Sequence, residues 1–167
     1  MIETNLPILY LREVVLLPFN EIRLEFTEDK EKQLINYAEK THDGHLLLVN
    51  LKDPLEESPS IAELPKIGIL GKIRSKLELP NGIMRVVLSG IDRVEILNYI
   101  ETTEIMSSFV IPTKEYDCDE IEIAALKRIL YKKLDEYIDI SSYMSNTVLG
   151  RIAGVKNISK ISDIIVS

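Results

Sequence analysis

Ile22, Leu24 and Phe26 alternate with Glu21, Arg23 and Glu25. A period of two is what a strand needs when one face meets a core and the other meets water. Before it, the apolar runs Leu6 to Leu11 and Val14 to Leu17, ended by Pro18, predict strands, or one strand with a bend. After it, Thr27 stands as a candidate N-cap, and Glu28 and Asp29 place negative charge at the positive end of a helix dipole. Leu34, Ile35 and Ala38 share one face, so the helix should run to about Lys40. The run from His45 to Leu51 predicts a strand buried on both faces.

Lys52 to Pro65 holds three prolines and four acids and predicts an exposed, mobile loop. Ile67 to Leu79 resumes β character, with Gly68 and Gly71 marking a bulge or a close backbone approach. The most regular stretch is Leu77 to Tyr99, which reads as two or three strands folded back on one another. Pro80-Asn81-Gly82 supplies a tight reversal, because proline presets φ while asparagine and glycine tolerate positive φ. Ile83, Arg85, Val87 and Ser89 then alternate with Met84, Val86 and Leu88, and Ser89-Gly90 reads as a second break before Val94 and Ile96. Ile105 to Ile111 predicts one more strand, stopped by Pro112.

From Asp117 the period changes to 3.6. Asp119 can cap a helix, with Glu122 in the capping-box position, and Ile123, Leu126, Leu130, Leu134 and Tyr137 fall on one face. Ser141 or Ser142 should open a second helix holding Met144, Val148 and Ile152 and closed by Gly154. Ser159 should open a third, with Ile161, Ile164 and Ile165; its pattern runs to Ser167, as in a helix cut short within a longer protein. The class is therefore α+β: a β-rich unit with one early helix over residues 1–113, then a helical part over 117–167.

Composition narrows this modestly. With 167 residues, 46% of them hydrophobic, the chain can bury one domain core plus a small appendage. Its longest apolar runs fall far short of a bilayer span, and Glu3 and Asn5 interrupt the start where a signal peptide would be apolar, so the expected location is cytoplasmic. Cys118 is the only cysteine, which rules out an intramolecular disulfide. The net charge of −7 removes the usual footprint of a nucleic-acid binder and suits solubility.

Candidate chemistry is sparse. His42 and His45 could share a metal, but they bracket an expected turn at Asp43-Gly44, and an exposed turn explains them better. Asp117, Asp119, Glu120 and Glu122 lack the pattern of a calcium loop and fit helix capping. Gly71-Lys72 resembles the end of a phosphate loop, but Lys66 stands where its first glycine belongs and Ile73 where the magnesium ligand belongs. Cys118 beside two aspartates has its thiolate disfavoured. Arg85 and Arg93 could hold a phosphate or carboxylate; solvated strand positions that blunt the sheet against aggregation explain them better. No catalytic, cofactor-binding or metal site is expected.

A resemblance carries further. Leu79-Pro80-Asn81-Gly82, Val86, Gly90 and Arg93 are similar to the central L-P-[DN]-G signature of the N-terminal domain of Lon, the ATP-dependent protease. Leu6-Pro7-Ile8-Leu9-Tyr10-Leu11-Arg12 with Val14, Val15 and Pro18 resembles that family's opening. Ile67-Gly68 with Ile73 resembles its Val-Gly-Thr strand, and Asp163 to Ser167 its Ala-Asp-x-x-Ala helix. Tyr10 and Phe19 depart from the pattern, standing where proline and a small or polar residue are usual. The resemblance implies a PUA-like β-barrel followed by helices, acting in a hexameric ATP-dependent serine protease. It implies that the ATP- and Mg-using motor and the Ser-Lys dyad lie beyond this chain, which would bind unfolded or damaged proteins without cleaving them and be by itself a monomer or weak dimer.

A receptor for unfolded chains needs an accessible apolar patch or an open strand edge. The candidates are Leu16, Leu17 and Phe19 around Pro18, with burial in the core as the favoured alternative for Leu16. Asp29, Lys30 and Gln33 at the head of the first helix form a second candidate, weighed against an ordinary solvated face. Two rival readings are a stand-alone substrate receptor or adaptor and an RNA-binding PUA-type module. The latter calls for a basic groove with stacking aromatics, which the acidic balance and lack of tryptophan oppose. Neither a membrane nor a nucleic acid is the expected partner.

Overall fold

The computed structural model describes residues 3–53, 55–56, 60–101, 105–114, 119–140, 150–152, 154–155 and 157–166. The chain divides into two compact units, residues 1–113 and 114–167.

The first unit holds strands β1 (Thr4–Leu11), β2 (Glu21–Phe26), β3 (His45–Asn50), β4 (Ile67–Glu78), β5 (Met84–Ile96) and β6 (Ser107–Pro112), with helix α1 (Asp29–Thr41) between β2 and β3. The strand order is β2-β5-β4-β3-β1-β6, and β6 also pairs with the far end of β5 through Val94↔Pro112 and Ile96↔Val110. Five strands thus close into a ring, with β2 added outside it along the first half of β5. This mixed sheet with few helices matches the expected α+β class.

Period two explains why the ring has two cores. Leu6 and Ile8 of β1, Leu47 and Val49 of β3, Val94 and Ile96 of β5 and Val110 of β6 form one buried cluster. The alternate residues, Leu9 and Leu11 of β1 and Leu46 and Leu48 of β3, join Leu34, Ile35 and Ala38 of α1 and Phe26, Met84, Val86 and Leu88 in the other. β3 is therefore buried on both faces, as its unbroken apolar run predicts, and α1 buries the three residues its periodicity selects. The Leu79–Ile83 reversal closes with Gly82 N donating to Leu79 O (2.9 Å) and Gly82 at φ 78°.

Three expectations for the first unit need correction. Val14–Leu17 is not a strand: it forms no ladder, and only Pro18 bridges to Gly90. Ser89-Gly90 does not end a strand, because β5 runs unbroken for 13 residues and the pairing register shifts there instead, from Gly71↔Gly90 to Leu70↔Asp92. That shift is a bulge, and it lets one strand leave β2 and meet β6. The N-cap of α1 is Glu28, not Thr27, and no side chain caps it.

The second unit contains α2 (Glu120–Ile140) and α3 (Ile158–Val166). Asp119 caps α2 as expected, its Oδ1 accepting from Ile121 N (2.9 Å). The cap of α3 is Asn157 rather than Ser159, with Oδ1 accepting from Lys160 N (3.1 Å). Leu134, Ile152, Ile161 and Ile164 form its core, with Leu130, Tyr131 and Val155 against them. Leu126 and Tyr137, expected on the buried face, are exposed. Asp117, Cys118, Ser141, Ser142, Met144 and Val148 lie outside the described residues.

Candidate functional site

The segment from Arg12 to Asn20 crosses from β1 to β2 without regular structure, so its backbone groups need other partners. Asn50 Nδ2 donates to Val14 O (2.7 Å), Leu51 N to Leu11 O (3.1 Å), and Arg12 Nη1 to Glu56 O (2.5 Å). At its far end Phe19 N donates to Gly90 O and Gly90 N to Asn20 O, both at 2.9 Å. A crossing pinned at both ends can hold apolar side chains in water without collapsing onto them. Phe19 sits at φ 67°, a left-handed conformation that costs a bulky residue about 1–2 kcal/mol.

Between these pins Val15 is 67% exposed and Phe19 39% exposed, while Leu17 is half-buried. Leu16 is wholly buried in the main core. Val15 and Leu17 line a groove of about 180 Å³ with Pro65, Ile67 and Ile69, backed by the buried Leu16 and Leu48. Its rim residue Ile67 is 47% exposed. Gly68 also lines the groove, and a Cβ there would meet Leu47 Cδ1 of the other core at 2.7 Å. Tyr99 holds the Pro65 wall by donating its hydroxyl to Pro65 O (2.6 Å). Burial, then the neighbouring Tyr10, pushes the Tyr99 phenol up to about 12, so it keeps that proton at neutral pH.

A second hollow of about 260 Å³ shares Pro65 with the first and is lined by Lys52, Asp53, Glu56, Glu63 and Leu51. Leu64 is buried beneath it, at the end of the short 3-10 turn Ile61–Glu63.

Asp29, Lys30 and Gln33 are exposed on α1, with Asp29 3.5 Å from Lys32. The structure does not join them to Phe19: the six residues of β2 separate the two patches by roughly 20 Å. Sequence reasoning missed Val15, Pro65 and Ile67. Val14–Leu17 is an unbroken apolar run, so no local pattern separated Val15 and Leu17 from Leu16.

The other singled-out residues do structural work. Asp43 (φ 49°) and Gly44 (φ 71°) make the reversal after α1, and His45 Nδ1 lies 3.1 Å from His42 O. Lys72 Nζ pairs with the Asp43 carboxylate at 2.7 Å, and Arg85 Nη2 with Glu25 at 2.6 Å. Among the described residues no cluster of three or more His, Cys, Asp or Glu could hold a metal, and no helix is long and apolar enough to cross a membrane.

Residues 5–167 match the family described as the ATP-dependent protease La (LON) substrate-binding domain. The chain is 29% identical over 166 residues to Lon protease of Bacillus thuringiensis and, to the same extent, to Lon protease 1 of Bacillus subtilis. These matches cover 99% of this chain but 21% of each relative, so the chain spans about a fifth of the curated relatives' length. Among solved structures, the N-terminal domain of Mycobacterium avium complex Lon protease superposes with a TM-score of 0.57 at 16% identity, covering 97% of this chain and 96% of that one. A Lon N-terminal domain protein from Xanthomonas campestris superposes at 0.54 with 18% identity, covering 77% and 74%. At such identities these two show the shared fold.

Proposed function

The chain belongs to the family of ATP-dependent protease La (LON) substrate-binding domains, and from that premise we propose that it captures apolar segments of unfolded or damaged proteins for a cytoplasmic, hexameric ATP-dependent serine protease. One observation carries the reading: the crossing between β1 and β2 holds Val15 and Phe19 in water, with Val15 lining an apolar groove rimmed by Ile67. Folded proteins bury such segments and unfolded ones expose them, so an apolar groove discriminates between the two by accessibility alone. The chain contributes binding; ATP, magnesium and peptide hydrolysis belong to other parts of the protease.

A second role, in assembly of the hexamer, is favoured by α2, which leaves Ile121, Leu126, Ile129 and Tyr137 exposed. Burying those residues against another surface would stabilise an oligomer by roughly 25 cal/mol per Å² of apolar area, before the cost of association.

The test is titration of the chain with one protein in its unfolded and folded forms, alongside ATPase and protease assays. The expected result is preference for the unfolded form without turnover, and a loss of about tenfold in affinity for Val15→Asp, equivalent to about 1.4 kcal/mol. Equal binding of both forms, or tighter binding of the folded one, overturns the reading. Tight binding of structured RNA at low salt would favour the nucleic-acid alternative instead.

A further inference from the structure

Among the described residues β2 alone pairs with a single strand: β5 lies along one side of it, and its other edge carries no ladder. The pairing decides which backbone groups stay open. Gly90 N donates to Asn20 O (2.9 Å), so by the alternation of an antiparallel ladder Ile22, Leu24 and Phe26 exchange bonds with Leu88, Val86 and Met84. Glu21, Arg23 and Glu25 then turn their N–H and C=O groups away from β5, and none of these groups is bonded to another described residue. All three residues are exposed, and Ile22 and Leu24 between them are only half-buried against the main core.

Charge opposes a second copy of this chain on that edge. Full-length antiparallel self-pairing would set Arg23 against Arg23 and Glu21 against Glu25, like charges directly opposite. Glu21 and Glu25 already have arginines beside them, Arg74 at 3.9 Å and Arg85 at 2.6 Å, whereas Arg23 has no ion-pair partner among the described residues. Phe19, exposed and two residues before the strand, continues the edge into the crossing.

We propose that this edge takes up an extended segment of an unfolded protein as a further antiparallel strand, its backbone bonded to Glu21, Arg23 and Glu25 and an acidic residue of the segment set opposite Arg23. The inference rests on the substrate-capture reading and adds to it a site that reads backbone. Only a chain released from its own secondary structure has main-chain donors and acceptors to give, so the edge selects unfolded polypeptide with little demand on sequence. Apolar residues alternating with the acid fall on the other face, where they cover the exposed parts of Ile22 and Leu24.

The experiment uses the whole chain and labelled nine-residue peptides of alternating threonine and valine, with glutamate replacing the central threonine. In the docked register the glutamate and threonines bond to β2, and the valines turn their amides away. N-methylation of the two threonines beside the glutamate should therefore weaken binding about tenfold, while N-methylation of two valines leaves it unchanged. Lysine in place of the glutamate should weaken binding about fivefold at low salt, the gap closing as salt rises. Arg23→Glu should reverse that preference with an unchanged thermal melt. Arg23→Pro, which removes an outward donor and no bond to β5, should bind none of the peptides. Equal weakening by both methylations, or indifference to both, overturns the proposal, and the capture reading stands if unfolded protein still binds and Val15→Asp still weakens it. Sedimentation of the chain as a dimer that Arg23→Pro separates into monomers gives the edge to a second copy and overturns the proposal as well. Failure of unfolded protein to bind at all overturns the inference together with the capture reading.

Discussion

Gly90 packs so tightly against Leu17 that a Cβ built on it would lie 2.4 Å from the Leu17 carbonyl oxygen. The contact is backbone on backbone, so no side chain can rotate aside to relieve it. It occurs where β5 bulges and where Phe19 N and Asn20 O find their partners. The bend in the sheet and the seat of the exposed crossing are thus one feature.

Gly90→Ala should therefore destabilise the fold by about 1–3 kcal/mol, the range for forced overpacking, and should weaken binding of unfolded protein as well. Gly82→Ala is the control. Its cost comes from φ 78° alone, because nothing lies within 4 Å of a Cβ there, and about 1–2 kcal/mol should be lost with binding intact. Denaturant melts with matched binding titrations check both.

Neighbouring residues in the crossing should separate stability from binding. Leu16→Ala empties a fully buried site and should cost about 2–5 kcal/mol. Val15→Ser alters a largely exposed side chain and should leave stability within about 0.5 kcal/mol while lowering affinity for unfolded protein. Loss of stability in Val15→Ser comparable to that of Leu16→Ala would contradict the placement of this segment.

Lys76 ties β4 to α1, donating to Asn36 Oδ1 at 2.6 Å and pairing with the Glu39 carboxylate. Lys76→Met should cost about 1–2 kcal/mol by leaving Asn36 and Glu39 without this partly buried donor. The double variant with Glu39→Leu should recover part of that loss, because it removes the stranded charge. Thermal or urea unfolding of the cycle measures it.

Two groups set opposite limits on pH. Lys72 holds the Asp43 carboxyl below its ordinary 3.8, first by hydrogen bonding and then by charge. Its contribution is whole above that value and is lost as pH falls through the folded pKa, and Asp43→Asn should flatten this acid limb. Tyr99 behaves in the reverse sense. The folded chain keeps its phenol proton to about pH 12 against 10.0 when unfolded, so stability is whole below pH 10 and drains between 10 and 12. In Tyr99→Phe the alkaline slope should be shallower than in the parent, as read by denaturant midpoints across that window.

Local pattern alone determined much of this protein. Strict alternation in Glu21–Phe26, the apolar run of β3, the buried triad of α1 and the Pro80-Asn81-Gly82 reversal all depend on residues a few places apart, and each was legible. The motifs around Leu79 and Gly90 also carried the family. Other features depended on partners distant in sequence, so only the tertiary structure decided them. Val14–Leu17 has the composition of a strand, but it enters no ladder, and only Pro18 after it bridges to Gly90. Val14 O accepts from Asn50 Nδ2 and Leu17 O from Asn20 N, and Val15 lies outward while Leu16 lies inward. Ser89-Gly90 has the composition of a turn, but β2, β4 and β6 all pair with β5 and carry it through as a bulge. The groove joins residues about fifty positions apart, Val15 and Leu17 with Pro65 and Ile67. Periodicity reports which face of an element is apolar; what covers that face, or leaves it open, is set by chain closure over distances no local pattern encodes.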